Sequence, residues 1–369
     1  MPTYFLSPVE SNLPIFLLNE EYVANRFEIA EGSRDGPGGQ SSSNKRRAKV
    51  LGSDGGESGR PSQWVKAVED FLIRNAGDLD PDEDQEGAEI KVCLIDDGVT
   101  NVGGEFSGNI CAGWPEGDPW TGEEPFYNSA SGHGTTMARL ISSVCPNVKL
   151  YVAKLGEWRE DQERISDLQK PSVARKAAEA VEWAIEHKVH VISMSWSLVK
   201  SEANERDVEK LGDQINAAGG SANKMLLYCS ANDEGMYGSH KSLYPCGSDT
   251  KAIKTIGSAT PQGNVSDQVN KDKVDHLFPG GLEEAGSCGG SSAATARAAG
   301  LAALILSCYA KRYGRGGVQK IAGWDKMSKI FKGMEATSSK WIDVTALLRP
   351  DSTVESVVGQ CESWLSAYV

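Results

Sequence analysis

The sequence predicts an α/β fold, a three-layer α/β/α arrangement around a mostly parallel central sheet, on three observations. Short apolar runs rich in β-branched residues recur along the chain. Segments with apolar residues at helical spacing lie between them. One long segment, 292–314, is apolar on most of its faces, as a helix in the middle of a domain must be. Strands that alternate with helices need crossover connections, and these place helices on both faces of a parallel sheet.

Each element follows from its residues. Trp64, Val65, Val68, Phe71 and Leu72 recur at helical spacing, with Ser62 as the N-cap. KVCLID (91–96) is a short buried-type strand that stops abruptly at Asp-Asp-Gly, and VKLYVAKL (148–155) is a second. The Ala-rich stretch 172–188 carries an apolar stripe and leads into strand 189–196. Residues 224–232 and 252–259 read as further strands, and 292–314 as the central helix. Domain limits follow from composition. Residues 1–30 have no clear period, and 31–62 are crowded with Gly, Ser and charge and read as a flexible linker. Residues 63–88 form a helix and an acidic turn, and 89–314 hold the α/β domain. Residues 315–369 read as a helical extension packed on it, where Trp324, Met327, Ile330 and Phe331 mark an amphipathic helix.

Bulk properties exclude several function classes. The formal net charge of −13 repels phosphate, so a nucleic-acid or anionic-membrane partner is not expected. Lys45-Arg46-Arg47 is the one basic run, and it reads as solvated charge in a loop. No stretch reaches the roughly 18 consecutive apolar residues that a bilayer span needs. The N-terminus lacks a basic region and is interrupted by Pro8, Glu10, Asn12 and Pro14, unlike a secretory signal. Eight cysteines are scattered without a CxxC pair and read as reduced thiols, several in apolar runs. The chain therefore reads as intracellular, in the cytoplasm.

Three strand-to-helix junctions carry chemistry. Asp96-Asp97-Gly98 ends the first strand, Gly132-His133-Gly134-Thr135 opens a helical segment, and Gly289-Gly290-Ser291-Ser292 leads into the central helix. Open α/β sheets present functional groups at such ends. Each has a plain alternative: Asp96 ending a strand, His133 as a turn residue, Ser292 as a helix cap. Together they supply what acyl transfer needs. A hydroxyl nucleophile needs an imidazole to take its proton, and the imidazole needs a carboxylate to hold its tautomer. The chain order Asp, His, Ser is one of the known orders of this triad.

These segments resemble the motifs of the subtilisin-like serine peptidases. KVCLIDDGV (91–99) is similar to the aspartate motif, SGHGTTMARLI (131–141) to the His-Gly-Thr motif, and GSSAATARAAG (290–300) to the Gly-Thr-Ser-Met-Ala motif. The resemblance covers about residues 89–311 and implies a subtilisin-like fold with Asp96, His133 and Ser292 as triad. CSAND (229–233) is similar to the family's Ala-Gly-Asn stretch, which implies Asn232 in the oxyanion hole. ISMSWS (192–197) resembles the strand that pairs with extended substrate, implying contacts from Ser195, Trp196 and Ser197, with Ser230 and Ala231 on the pocket wall.

Several positions depart from the pattern. Ala296 stands where the family usually has proline, and Ser291 replaces the usual threonine. Ala231 adds a methyl group to a pocket wall usually left bare, and Trp196 is read as either a packing residue or a subsite residue. Asp97 holds a position usually filled by a small hydroxyl residue, where it faces solvent or bonds the turn. The segment between His133 and Lys154 is too short for the family's tight calcium loop, and His187, His190, His240 and His276 show no paired metal-ligand spacing. The expectation is a serine endopeptidase with no cofactor and no metal ligands, acting on a protein or peptide through an acyl-enzyme. Its rivals are an inactive module of the same fold used for binding or signalling, and an esterase using the same triad.

Overall fold

The computed structural model describes residues 62–79, 88–117, 124–156, 172–233, 243–281, 289–336 and 339–367. Segment 1–30, the linker short of Ser62, most of the acidic turn, Cys288 and His240 lie outside them. In chain order the main elements are α1 (Gln63–Arg74), β1 (Lys91–Asp96), β2 (Ile110–Trp114), α2 (His133–Val144), β3 (Lys149–Lys154) and α3 (Val173–Glu186). They continue with β4 (Val191–Met194), β5 (Leu198–Val199), α4 (Glu205–Gly219), β6 (Leu226–Ser230), β7 (Leu243–Tyr244) and β8 (Ile253–Ala259). The last are β9 (His276–Pro279), α5 (Ser291–Tyr313), α6 (Arg315–Ile321), α7 (Trp324–Met334) and α8 (Val354–Ala367).

Seven strands form one sheet in the order β2-β3-β1-β4-β6-β8-β9, and every neighbouring pair is parallel. Successive strand residues point to opposite faces, so two cores form. Val92, Leu94, Leu150, Val152, Val191, Leu226, Tyr228 and Ile256 join a cluster with residues of α1, α2, α5, α7 and α8. Cys93, Ile95, Tyr151, Ala153, Ile192, Met194, Leu227 and Cys229 join a second cluster under α3 and α4. The result is the expected three layers. Both faces are covered, which is why these strands read as unbroken apolar runs.

Helix α5 lies inside the first layer against β4, β6, β8, β9 and β1. Leu301, Leu304, Ile305 and Leu306 are each at most 1% exposed, and full burial of such a side chain is worth roughly 1.5–3 kcal/mol. The helix runs unbroken through Ala296. By length and composition α5 alone among the described helices would cross a bilayer, but its apolar window is wholly buried inside the protein. Ser62 caps α1 by accepting from the Val65 N–H at 3.2 Å. In α7 the buried residues are Met327, Ile330, Phe331 and Met334, so this helix covers the domain.

Five elements lack a matching signal in the sequence, among them β5 and β7, which have two residues each. β2 contains a glycine and a register irregularity, β9 has only four residues, and α4 is largely polar. The strand expected over 189–196 also stops at Met194. Ser195, Trp196 and Ser197 leave the sheet before β5, which pairs antiparallel with β7 in a separate ribbon.

Candidate active site

Side chains 92, 94 and 96 share one face of β1, so the Asp96 carboxyl emerges toward α2 and α5 at the C-terminal end of the sheet. His133 is the first residue of α2, and its Nδ1 lies 2.8 Å from Asp96 Oδ1. Asp96 Oδ1 also accepts the Asp97 N–H at 2.9 Å. Asp96 is 5% exposed, and its Oδ2 has no hydrogen-bond partner. Burial pushes the Asp96 carboxyl upward, and the His133 imidazole and the Asp97 amide pull against that rise. Burial likewise opposes charge on His133, but the Asp96 and Asp97 carboxylates outweigh it and hold the imidazole above its ordinary value.

Asp97 serves the loop that carries His133. Its oxygens accept from Ser129 Oγ at 2.7 Å, Ser131 Oγ at 2.5 Å, Ser131 N–H at 3.0 Å and Gly134 N–H at 2.8 Å. Burial would raise Asp97, and these hydrogen bonds overcome it and hold the carboxyl below the usual range. Gly134 is a glycine for want of space: a Cβ there would sit 2.2 Å from the Gly98 carbonyl oxygen and 2.8 Å from Asp97 Oδ1. Buried Lys154 holds the same loop from β3, donating to Glu124 Oε2 and to the Asn128 carbonyl, both at 2.6 Å.

Ser292 is the second residue of α5, whose N-cap is Gly290. The serine is therefore inside the helix rather than capping it. It is half-buried between fully buried Ser291 and Ala293. Its hydroxyl donates to the Ser195 carbonyl at 3.3 Å, and the Ser195 hydroxyl donates back to the Ser292 carbonyl at 3.2 Å. That reciprocal pair brings α5 against segment 195–197. Among the described residues, no hydrogen bond joins Ser292 to His133.

Asn232 follows β6 on the same end of the sheet, and its Nδ2 is buried with no partner. Ser230 and Ala231 are 5% and 6% exposed, and the Ala231 methyl belongs to the first core cluster. Trp196 packs partly buried against the second cluster, and its indole N–H donates to the Ile95 carbonyl at 2.9 Å, one residue before Asp96. Ser197 Oγ lies 3.5 Å from Cys246 Sγ, a neighbour that no sequence pattern points to. Sequence reasoning also misses Asp233. Its only sequence signal is a carboxylate next to Asn232, and it binds Ser291 through both oxygens. The seven described cysteines are free thiols, five of them buried. No group of three or more His, Cys, Asp or Glu residues converges as metal ligands among the described residues.

A seven-stranded parallel sheet covered by helices on both faces defines the class, an α/β fold, and Asp96, His133 and Ser292 lie toward the C-terminal ends of its strands. The model of the subtilase family matches residues 87–329, and the chain belongs to that family. A thermostable alkaline protease of Halalkalibacterium halodurans is 25% identical over 52% of this chain and 52% of its own length. The chain thus spans about half the length of that relative. The major intracellular serine protease of Bacillus subtilis is 24% identical over 67% of this chain and 72% of that protein. Among solved structures, a lanthipeptide protease superposes with a TM-score of 0.57 at 17% identity, covering 78% of this chain and 94% of the other.

Proposed function

We propose that this protein is a serine endopeptidase in which Asp96, His133 and Ser292 form the catalytic triad. The observation that carries the reading is the Asn232 amide, a buried donor with no partner beside the start of α5. A buried polar group left unpaired is costly, and such a group at a catalytic elbow is satisfied by what binds there. Support comes also from the 2.8 Å Asp96–His133 contact and from membership of the subtilase family.

The chemistry follows from these positions. Asp96 accepts the Nδ1 proton of His133, which leaves Nε2 free to act as base. His133 Nε2 takes the Ser292 proton as the oxygen attacks a peptide carbonyl. Negative charge then develops on the carbonyl oxygen, where Asn232 Nδ2 and the Ser292 N–H donate to it. The first turn of α5 adds its partial positive charge. His133 returns the proton to the departing amine, leaving an acyl-serine, and water attacks that ester by the reverse proton path. The resting hydroxyl bond to Ser195 is long at 3.3 Å and is exchanged for His133 when substrate tightens the site.

The substrate is a protein or peptide in extended form, paired with the backbone of Ser195, Trp196 and Ser197 outside the sheet. Ser230 and Ala231 support the neighbouring wall from within the core. An intracellular setting belongs to this reading, supported by the likeness to the Bacillus subtilis intracellular protease and by the free thiols. One observation favours a second reading, an inactive binding module: the Ser292 hydroxyl is engaged by Ser195 and not by His133.

Labelling with a fluorophosphonate probe decides between them. The wild-type protein should be labelled on Ser292, and Ser292→Ala should abolish both the label and peptide cleavage. The fall in turnover should be about 10⁶-fold, as when subtilisin, a member of the same family, loses its triad serine. An unlabelled, folded wild type would favour the inactive module. Label that survives Ser292→Ala would mean that another serine is the nucleophile.

A further inference from the structure

The two donors assigned to the oxyanion stand on separate pieces of chain. Asn232 is on the loop after β6, and the Ser292 N–H is in the first turn of α5. A working hole needs both within about 2.7–3.1 Å of one oxygen atom, so something must fix the spacing of the two segments. Asp233, directly after Asn232, accepts the Ser291 N–H on Oδ2 at 2.9 Å and the Ser291 hydroxyl on Oδ1 at 2.5 Å. Among the described residues, these are the only hydrogen bonds between 231–233 and 289–292.

Ser291 passes the link onward. Its side chain is fully buried, and its Oγ accepts the Ser258 N–H of β8 at 3.1 Å. The carboxylate therefore ties the loop after β6 to α5, and the Ser291 hydroxyl ties α5 to β8. The N-terminus of α5 is built for this contact. Gly290, the N-cap, has φ +85° and offers no side-chain cap. A Cβ on Gly290 would lie 2.4 Å from Asp233 Oδ2, so only a bare backbone lets the carboxylate reach Ser291. The Ser291 N–H is one of the donors that a helix start leaves unsatisfied, and Asp233 fills it.

We propose that Asp233 is a positioning residue for the oxyanion hole: by gripping Ser291 through both oxygens, it fixes the separation of the Asn232 amide from the Ser292 N–H. Asp233 does not touch the reacting atoms, and both its oxygens are committed to Ser291. Its effect is on transition-state stabilisation, so its loss appears in kcat more than in KM. The inference rests on the triad reading above.

The test uses the full chain with Asp233→Ala, Asp233→Asn and Ser291→Ala, alone and with Ala at both positions. Steady-state cleavage of a fluorogenic peptide is read beside thermal unfolding. Loss of an oxyanion donor costs about 10²–10³-fold in kcat, and misplacing one should cost Asp233→Ala about 10–10²-fold with KM changed less than about 3-fold. Asp233→Asn, which keeps one acceptor oxygen, should fall between the two. In the Ser291→Ala background the loss from Asp233→Ala should shrink, because the hydroxyl arm of the grip is already gone. If Asp233→Ala does not fold, Asp233→Asn at a wild-type melting temperature carries the same kcat comparison. Unchanged kcat, a rise in KM alone, or strictly additive losses with Ser291→Ala would overturn the proposal. A wild type labelled on Ser292 with full turnover in Asp233→Ala sinks this inference alone, whereas an unlabelled wild type sinks the triad reading and this inference with it.

Discussion

Asp96 and Asp97 are neighbours with the same side chain, and the backbone sends them to different tasks. Asp96 lies on the α2 and α5 side and meets His133, while Asp97 turns into the loop before α2 and is consumed by Ser129, Ser131 and Gly134. The sequence leaves Asp97 facing solvent or bonding the turn. In the fold it is 8% exposed and bonds the histidine loop. Both carboxylates favour a charged imidazole, and together they overcome its burial. The base form of His133 is therefore reached only above the ordinary histidine value of 6.5. The acid limb of kcat/KM against pH should have its midpoint above 6.5 in the wild type. Asp97→Asn removes one of the two negative charges and should move that limb to lower pH. An unmoved limb would mean that Asp97 acts only by holding the loop.

At the scale of elements, α2 and α5 start alike. Each has a glycine N-cap with no side-chain cap of its own. In both, the missing cap comes from a distant carboxylate, Asp97 for the Gly134 N–H and Asp233 for the Ser291 N–H. A sequence-local cap would hold the helix alone, whereas these caps also hold each helix to a strand end. Helix α7 packs into the same core cluster. Phe331 is fully buried, with ring centroids 6.2 Å from Tyr228, 5.9 Å from Phe278 and 5.3 Å from His276. The Trp324 indole also donates to the Ala252 carbonyl at 2.9 Å. Phe331→Ala should destabilise the domain by about 3–5 kcal/mol, read by urea unfolding. A loss under about 1 kcal/mol would mean that α7 is an ornament on the core rather than part of it.

Across the whole molecule, the C-terminal ends of the strands carry the candidate site and the N-terminal ends carry stability. His190, just before β4, accepts the Lys91 N–H on Nδ1 at 3.0 Å. Burial, with the Lys91 and Arg315 charges, pushes it down to about 4 from 6.5. The unfolded chain then binds a proton that the folded chain refuses at any pH between those values. Stability from this site is complete above 6.5 and falls as the pH drops toward 4, a loss on the order of 2–4 kcal/mol at about 1.4 kcal/mol per pH unit. Unfolding free energies measured from pH 7 to 5, before most carboxylates titrate, should show this slope. His190→Gln should flatten it. A slope that persists in the variant would assign it to other groups.

The sequence by itself determined the α/β class, the order of the principal strands, the buried helix α5 and the residue types at three strand ends. It could do so because periodicity and burial on both faces are written locally, as in KVCLID and in 292–314. It did not mark β2 or β9, whose short edge positions leave little pattern, nor polar α4. Only the tertiary structure decided what surrounds the candidate triad. It put the Ala231 methyl in the core, tied Trp196 to the Ile95 carbonyl, set Cys246 beside Ser197 and gave Asp97 and Asp233 their helix starts. Those contacts join residues tens of positions apart, and no local spacing encodes them. A carboxylate's partner is set by which loop the fold brings within about 3 Å, and that distance exists only once the sheet has assembled.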